Sequence, residues 1–120
     1  IDFTARDIQD ECKRKGLPWE KAKAFDNSAA VGKFIDITPE INKKNINFSF
    51  NKNGEVVQQG NSGKMLFSFD NLIAHISNYF SLNIGDLIFT GTPAGVGECV
   101  VGDELEAFID TTSLLKLEIK

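Results

Sequence analysis

The chain has 120 residues, of which 42% are hydrophobic and 25% are charged, and its formal net charge is -4 at pH 7. This length and apolar content are typical of one globular domain and exclude a disordered chain. The acidic balance argues against nucleic acid and anionic membranes as partners, because both bind clustered Lys and Arg. No apolar run approaches the roughly 18 residues that span a bilayer, and no basic and then apolar segment opens the sequence, so we expect a cytoplasmic protein.

The first part of the chain predicts two short helices. Thr4 suits the N-cap of a helix over residues 5–15, and Gly16 suits the left-handed position that ends it. Pro18 can then occupy the first turn of a second short helical segment. A loop follows, and a strand is expected at residues 32–37.

The centre of the chain predicts a β-hairpin. Residues 46–50 alternate strictly between apolar and polar side chains, which is typical of a half-buried strand. Asn53 and Gly54 follow, and this dipeptide is a strong signal of a two-residue hairpin turn. Residues 55–59 then form the returning strand.

The second half predicts one helix and several short strands. Residues 68–80 carry apolar side chains at helical spacing after a capping serine, so we expect a helix with one buried face. Residues 87–89 are an apolar run that predicts a short strand, and residues 104–109 and 114–119 predict two closing strands. No repeat or linker marks a domain boundary.

The stretch that begins at Asp2 is the first candidate site. It follows Ile1 directly, where a complete protein would carry Met and dispensable residues, so we expect a piece of a longer protein whose site continues upstream. Asp2 just before a helix could bind Mg²⁺ or Mn²⁺, while Arg6 and Gln9 hold an anionic substrate. Alternatively, Asp2 caps the helix and Arg6 pairs with Asp10. Spacing alone favours this structural interpretation.

Residues 90–97 are the second candidate site. Their three glycines and two threonines follow an apolar run, so backbone N–H groups and hydroxyls could approach a carboxylate or a phosphate closely. The stretch matches neither a P-loop nor a dinucleotide-binding pattern. A tight structural turn explains the same composition equally well.

Other potentially reactive residues favour structural interpretations. His75, the single histidine, lies on the predicted helix and is expected to be structural or exposed. Cys12 and Cys99 are far apart, have no neighbouring His and follow no metal-ligand spacing, so we expect free thiols in a reducing compartment. Glu104 and Glu106 share one face of a predicted strand and are expected to be solvated.

Taken together, these stretches resemble the C-terminal half of the fumarylacetoacetate hydrolase family, in its acylpyruvate hydrolase branch. The two most specific stretches are Asp2-Phe3-Thr4-Ala5-Arg6-Asp7-Ile8-Gln9 and Thr90-Gly91-Thr92-Pro93 with Gly95-Val96-Gly97, and further matches are residues 16–19, 23–26, 65–68, 82–89 and 102–104. The resemblance implies an α+β roll of layered mixed β-sheets with short helices, assembled as a homodimer. It also implies that residues 1–120 are the C-terminal part of a single catalytic domain.

The resemblance implies a role for five side chains. Asp2 matches one of three carboxylates that bind Mg²⁺ or Mn²⁺, and the other two belong to an upstream Glu-x-Glu. Gln9 and Lys23 match catalytic groups that polarise the substrate or position water, while Arg6 supports the site. Thr92 matches the contact to the substrate carboxylate. A family His-Glu pair that activates water lies upstream, so His75 does not inherit that role.

The implied reaction is hydrolysis of a carbon–carbon bond in an acylpyruvate or a related β-diketo acid. The small 2-keto acid substrate would be chelated by the cation, which acts as a Lewis acid and stabilises an enolate leaving group. Oxaloacetate decarboxylation by the same family is an alternative, because it uses the same keto acid and enolate. A further alternative is a catalytically silent fragment that lacks the upstream residues.

Overall fold

The structure is a computed structural model that describes residues 1–38, 41, 43 and 45–120. These residues divide into two units, Ile1–Gly32 and Lys33–Lys120. The first unit contains two short α-helices, whereas the second contains an antiparallel sheet and one α-helix. This combination of separate helices and sheet confirms the predicted α+β class. In the part of the chain that the structure describes, no helix is long and apolar enough to cross a membrane.

The two predicted helices of the first unit are present. Helix α1 spans Arg6–Lys15 and ends at Gly16, whose φ of 64° lies in the left-handed region that glycine adopts without steric cost. Helix α2 spans Glu20–Lys23 and begins two residues after Pro18. The predicted cap is wrong: Ala5 is the N-cap and makes no side-chain bond. The Thr4 hydroxyl instead accepts a hydrogen bond from Lys23.

An extended segment before α1 lies alongside α2. The amide of Ala5 donates to the carbonyl of Ala22 over 3.0 Å, and Asp2 forms an isolated antiparallel bridge with Ala29. Ala22 is completely buried and Cys12 of α1 is 5% exposed, so these small side chains allow the two helices to pack closely. Backbone pairing and small-residue packing therefore fix the segment that carries the first candidate residues.

The second unit is built on a four-stranded antiparallel sheet in the order β2-β1-β3-β4. Its strands are β1 Asn47–Lys52, β2 Glu55–Asn61, β3 Glu104–Ile109 and β4 Thr112–Glu118. The predicted hairpin is confirmed, since Asn53 and Gly54 have φ of 54° and 83°, as a two-residue primed turn requires. The two closing strands are confirmed with small shifts at their ends.

Strand β2 contains one extra residue. Phe50 of β1 pairs with Gln58, but the next residue, Asn51, pairs with Val56, so Val57 has no partner in the register. This arrangement is a β-bulge, which bends a strand and redirects its side chains. The alternation of the sequence gives no sign of it.

Asp103 connects the two hairpins of the sheet. Its side chain is 7% exposed and accepts hydrogen bonds from the backbone N–H of Val100 at 2.9 Å and from Asn53 Nδ2 at 2.8 Å, with Lys52 Nζ 3.3 Å away. Asn53 also accepts from the amide of Glu104 at 2.9 Å. The hydrogen bond from Val100, followed by that from Asn53, lowers the pKa of the Asp103 carboxyl.

Two predicted strands are not formed. Residues 32–37 have no regular structure, and the amide of Lys33 donates to the carbonyl of Leu114 at 2.8 Å. Residues 87–89 are likewise irregular. Both runs have apolar strand composition, but neither pairs with a strand among the described residues, and an unpaired strand does not satisfy its backbone groups.

Helix α3 spans Phe69–Ser77 and confirms the predicted helix with a shorter C-terminal end. Ser68 caps it as expected, because its hydroxyl accepts from the amide of Asn71 at 3.2 Å. The predicted buried face is wrong for the described residues, since no α3 residue is buried and Ile73 is 46% exposed. The apolar stripe exists, and the described residues cover it only in part, since Leu72 and Ile76 are half-buried.

Replacing Asp103 by Asn should destabilise the protein near neutral pH. An amide nitrogen would face one of the donors that the carboxylate now accepts from, so one hydrogen bond becomes a donor–donor contact. Because folding lowers the pKa of Asp103, its stabilisation is present above the unfolded value of about 4 and is lost as the pH falls through the folded value. We expect Asp103→Asn to lower the Tm by several degrees near pH 7 and by much less near pH 3.

Asp110→Asn is the matched control. Asp110 is exposed, lies at the β3–β4 turn with φ of 49°, and accepts from Asn47 Nδ2, a bond that an Asn oxygen can also accept. It should leave the Tm unchanged at both pH values. Equal effects of the two variants would contradict the structural role of Asp103.

Candidate functional site

Lys23 connects two side chains of the first unit. Its Nζ lies 2.7 Å from Asp2 Oδ2 and 2.8 Å from Thr4 Oγ1, so one ammonium group donates to both. Lys23 is the last residue of α2, and the backbone bond between Ala5 and Ala22 brings the Asp2–Thr4 segment beside that helix. We call Asp2, Thr4 and Lys23 the ammonium cluster. The side chains of Lys23 and Asp2 are 32% and 41% exposed, so a small molecule could reach them.

Arg6 and Gln9 form a second contact, one turn into α1. The guanidinium Nη1 of Arg6 donates to Gln9 Oε1 over 2.7 Å. Gln9 is 6% exposed, whereas Arg6 is exposed. The alternative Arg6–Asp10 pair is not formed, because Asp10 instead lies 3.8 Å from Lys13. Four of the five predicted site residues therefore take part in direct contacts within the first unit.

Asp2 suits a divalent cation as one ligand among several. Carboxylate oxygen is the donor that Mg²⁺ and Mn²⁺ prefer, and Lys23 occupies Oδ2 while leaving Oδ1 for another partner. Within residues 1–38, 41, 43 and 45–120, no group of three or more His, Cys, Asp or Glu side chains is arranged to hold a metal ion. Asp2 fits the role that the resemblance gives it only if further ligands come from outside the described residues.

Thr92, the fifth predicted residue, lies in the second unit, in an exposed loop between Gly91 and Gly95. These glycines have φ of 96° and 100°, values that L side chains rarely adopt. The Thr92 hydroxyl accepts a hydrogen bond from Gln58 Nε2 at 3.0 Å. Gln58 was not a candidate in the sequence, because the strand pattern shows only which face of β2 it occupies.

The residues for which the sequence favoured structural interpretations behave accordingly. His75 is exposed and its ring lies 5.4 Å from that of Tyr79. Cys12 and Cys99 are free thiols, and burial raises the pKa of Cys99, which disfavours the reactive thiolate. Glu106 accepts from Ser113 Oγ at 2.6 Å, and Glu104 lies 3.8 Å from Lys116. Glu104 is exposed, as expected, whereas Glu106 is half-buried and bonded to β4.

The sequence pattern of the fumarylacetoacetate (FAA) hydrolase C-terminal family matches residues 1–120, and the chain belongs to this family. The predicted family is thereby confirmed. The predicted acylpyruvate hydrolase branch is not confirmed, because the relatives described below include proteins that are named for other reactions.

Two relatives are named as oxaloacetate tautomerases. The chain is 41% identical over 120 residues to the oxaloacetate tautomerase FAHD1, mitochondrial, of Rattus norvegicus, covering 100% of this chain and 54% of that protein. It is 44% identical over 115 residues to the oxaloacetate tautomerase YcgM of Escherichia coli, covering 95% and 52%. The chain thus spans about half the length of these relatives. A mitochondrial and a bacterial relative leave the cytoplasmic location a prediction.

A solved relative supports the fold and contains a metal. The chain matches the crystal structure of fumarylpyruvate hydrolase from Pseudomonas aeruginosa in complex with Mn²⁺ and pyruvate, with a TM-score of 0.90 and 33% identity. The match covers 98% of this chain and 51% of that one. The fold of the fumarylacetoacetate hydrolase family is therefore shared, and the described strands form one antiparallel sheet of it.

Replacing Lys23 by Met should change stability very little. The Lys23–Asp2 pair is partly exposed, and pairs of this kind contribute at most about 1 kcal/mol to the free energy of unfolding. Met keeps most of the side chain's apolar contact. We expect a denaturant titration of the whole protein to give nearly equal unfolding free energies for Lys23→Met, the wild type and Lys21→Met, an exposed lysine on the same helix. A loss of several kcal/mol for Lys23→Met alone would assign Lys23 to the fold.

Proposed function

We propose that the whole protein is a divalent-metal-dependent enzyme of small 2-keto acids, and that its first reaction is the keto–enol tautomerisation of oxaloacetate. The observation that carries this proposal is the ammonium cluster, in which Lys23 is held against both Asp2 and Thr4. The names of the relatives from Rattus norvegicus and Escherichia coli support oxaloacetate as the substrate. They support tautomerisation, whereas the sequence had suggested oxaloacetate decarboxylation as the alternative.

Tautomerisation requires a group that stabilises negative charge on oxygen. Transfer of a proton from the carbon beside the keto group to water leaves an enolate, which becomes the enol when its oxygen takes a proton from water. Fixed positive charge near that oxygen lowers the barrier. An ammonium group has three N–H donors, and Lys23 uses two of them for Asp2 and Thr4. The third donor is available to the substrate oxygen. Because Asp2 and Thr4 fix the position of Nζ, little reorganisation is needed when the charge develops.

Gln9 would act as a neutral hydrogen-bond donor in addition to Lys23. Arg6 donates to Gln9 Oε1, which fixes the orientation of the amide and leaves its NH₂ group to donate to substrate or to water. Burial of Gln9 limits the positions that this NH₂ group can take. Arg6 therefore supports the site through Gln9, as the family resemblance implies.

Asp2 would hold the cation through Oδ1, with further ligands supplied from outside the described residues. When bound, Mg²⁺ or Mn²⁺ supplies Lewis-acid stabilisation of the keto acid oxygens. Lys23 keeps Oδ2 engaged, so the carboxylate keeps one orientation. The family resemblance supports a further role for Thr92, whose hydroxyl would donate a hydrogen bond to the substrate carboxylate.

Acylpyruvate hydrolysis is the second candidate function. The Pseudomonas aeruginosa relative is named a fumarylpyruvate hydrolase and was solved with Mn²⁺ and pyruvate, a 2-keto acid. Hydrolysis also passes through an enolate, so Lys23 and Gln9 would serve both reactions. It additionally requires an activated water, and His75 is not given that role because it is exposed, with its ring tilted at 59° to that of Tyr79.

A substrate comparison distinguishes the two candidates. The whole protein, loaded with Mg²⁺ or Mn²⁺, is given enol-oxaloacetate and acetylpyruvate, and loss of the enol absorbance and release of pyruvate are followed. We expect enol-oxaloacetate to be converted with the larger kcat/KM and without loss of CO₂. Preferential pyruvate release from acetylpyruvate would establish the hydrolase instead. Adding the 120-residue chain alone to the same assay tests the silent-fragment alternative, which predicts no turnover.

Asp2→Ala should abolish metal-dependent turnover in the whole protein. Removing a charged oxygen ligand weakens cation binding and also leaves Lys23 without its ionic partner. Asp7→Ala is the control, because Asp7 is an exposed carboxylate in the first turn of α1. Turnover against Mg²⁺ concentration should fall to background only for Asp2→Ala. Normal metal dependence in that variant would exclude Asp2 as a ligand.

Lys23→Met should lower turnover by about 100-fold, the loss typical of removing one donor to a developing oxyanion. The same substitution at Lys21 should have no effect, since Lys21 is exposed on α2. Steady-state kinetics of both variants would measure these changes in turnover. Equal rates would contradict the proposed role of the ammonium cluster.

Homodimer formation and the single catalytic domain are also proposals. Large apolar side chains of the described residues remain exposed, among them Phe34, Leu66, Phe80 and Ile84. Exposed apolar surface of this kind is typically covered by another part of a protein or by a second copy. Sedimentation velocity of the whole protein would detect the dimer directly.

A further inference from the structure

Gln58 is in contact with three consecutive residues of the Thr92 loop. Its Nε2 lies 3.0 Å from Thr92 Oγ1, 3.0 Å from the carbonyl oxygen of Pro93 and 3.5 Å from that of Ala94. Only a donor suits this position, because two of the three partners are carbonyl oxygens, which accept but cannot donate. The orientation of the amide, with its nitrogen toward the loop, follows from these partners.

The β-bulge at Val57 allows the loop to approach this closely. Gly95 packs against the strand here, and a Cβ added to it would lie 2.1 Å from the carbonyl oxygen of Val57 and 3.1 Å from Cγ of Gln58. The φ of Gly95 is 100°, so a side chain is excluded by conformation as well as by space. Backbone contact and the Gln58 amide thus hold the loop on β2 at one place.

The bond from Gln58 limits which way the Thr92 hydroxyl can donate. A hydroxyl has one proton and two acceptor lone pairs, and Gln58 fills one of the lone pairs. The hydroxyl proton cannot point toward the N–H that donates to it, so it takes one of the remaining directions, away from the Gln58 amide. Thr92 is exposed, and its proton is therefore available to an acceptor outside the loop.

We propose that Gln58 is a positioning residue that orients the Thr92 hydroxyl to donate to the carboxylate of the 2-keto acid substrate. This inference rests on the proposed function, which gives Thr92 the substrate carboxylate as its partner. Gln58 itself does not touch the substrate. Its effect is on carboxylate affinity, whereas Lys23 and Gln9 act on the developing enolate.

Gln58→Glu is the sharpest test, because it keeps the shape and reverses the direction of the hydrogen bond. A carboxylate would accept the Thr92 proton and would also face the carbonyl oxygens of Pro93 and Ala94. In the whole protein we expect KM to rise about tenfold or more, as expected for one lost hydrogen bond to a charged group, with kcat changed less than about threefold. Gln58→Met removes the donors without adding charge, and its KM should lie between those of Gln58→Glu and the wild type.

Gln59→Glu is the charge-matched control, since Gln59 is exposed on the same strand. Its KM should equal that of the wild type. Thr92→Val completes a double-mutant cycle: if Gln58 acts through the hydroxyl, Gln58→Met should raise KM much less in the Thr92→Val background than alone. Equal effects in the two backgrounds would overturn the inference, as would equal KM values for Gln58→Glu and Gln59→Glu in an active enzyme.

Calorimetric binding of pyruvate in the presence of Mn²⁺ separates this inference from the proposed function. If wild type binds pyruvate and Thr92→Val binds it more weakly, the proposed role of Thr92 stands, and the Gln58 variants alone decide the inference. If wild type does not bind pyruvate, or Thr92→Val binds it equally well, the proposed function fails at Thr92 and the inference fails with it. Thermal melts of the Gln58 variants check that each is folded.

Discussion

A buried carboxylate fixes the geometry on which the rest of the second unit depends. Asp103 lies where the chain enters β3, and its bonds to Val100 and Asn53 join that entry to the turn of the other hairpin. A buried charge is tolerated only where hydrogen bonds replace its water, and both oxygens of Asp103 have such donors. Moving the turn relative to β3 would break the bond to Asn53, so this bond favours the observed pairing of β1 with β3.

The position of the Thr92 loop follows from this arrangement. Fixing β1 against β3 also fixes its partner β2, and the extra residue Val57 lies in the middle of that pairing. The bulge brings the Val57 carbonyl against Gly95, and the next residue, Gln58, reaches the loop with its amide. A loop with little regular structure of its own is thus positioned by a strand, as is common for functional loops on rigid scaffolds.

The charged pair of the first unit is more exposed than the Asp103 carboxylate of the second unit. Lys23 and Asp2 are partly exposed, so their pairing contributes little to the free energy of unfolding, whereas the Asp103 carboxylate is buried and takes part in the fold. A small contribution to folding stability does not exclude a catalytic role, because a positioned ammonium group lowers a reaction barrier when negative charge develops beside it. A small contribution to folding is therefore compatible with the catalytic role proposed for the ammonium cluster.

The sequence predicted what depends on local pattern and missed what depends on tertiary contacts. Gly16, the Asn53-Gly54 turn and the Ser68 cap were recognised because each residue has a conformational preference that acts within a few positions. Residues 32–37 and 87–89 were predicted as strands from composition, but a strand also needs a partner, which composition does not reveal. Thr4 is a favourable cap residue by its type, but its hydroxyl accepts a hydrogen bond from Lys23, 19 positions away. That contact leaves no local signal in the sequence.

Among the site residues, motifs in the sequence selected five candidates and did not select Gln58. Asp2, Arg6, Gln9, Lys23 and Thr92 were selected by resemblance, and the roles of these five stay predictions. Gln58 carries no motif of its own. Its candidate role follows from its position beside the bulge and from its contacts with three loop residues.

The proposed substrate donors share one physical arrangement. In each, a protein neighbour occupies part of the hydrogen-bonding capacity of the side chain and leaves a proton to donate. Arg6 donates to the Gln9 oxygen, and Gln58 donates to the Thr92 hydroxyl. Asp2 and Thr4 accept two of the three Lys23 protons. Each group thus has part of its hydrogen-bonding capacity filled and keeps a proton to donate. Donors of this kind suit a ligand that is rich in negative oxygen, as a 2-keto acid and its enolate both are.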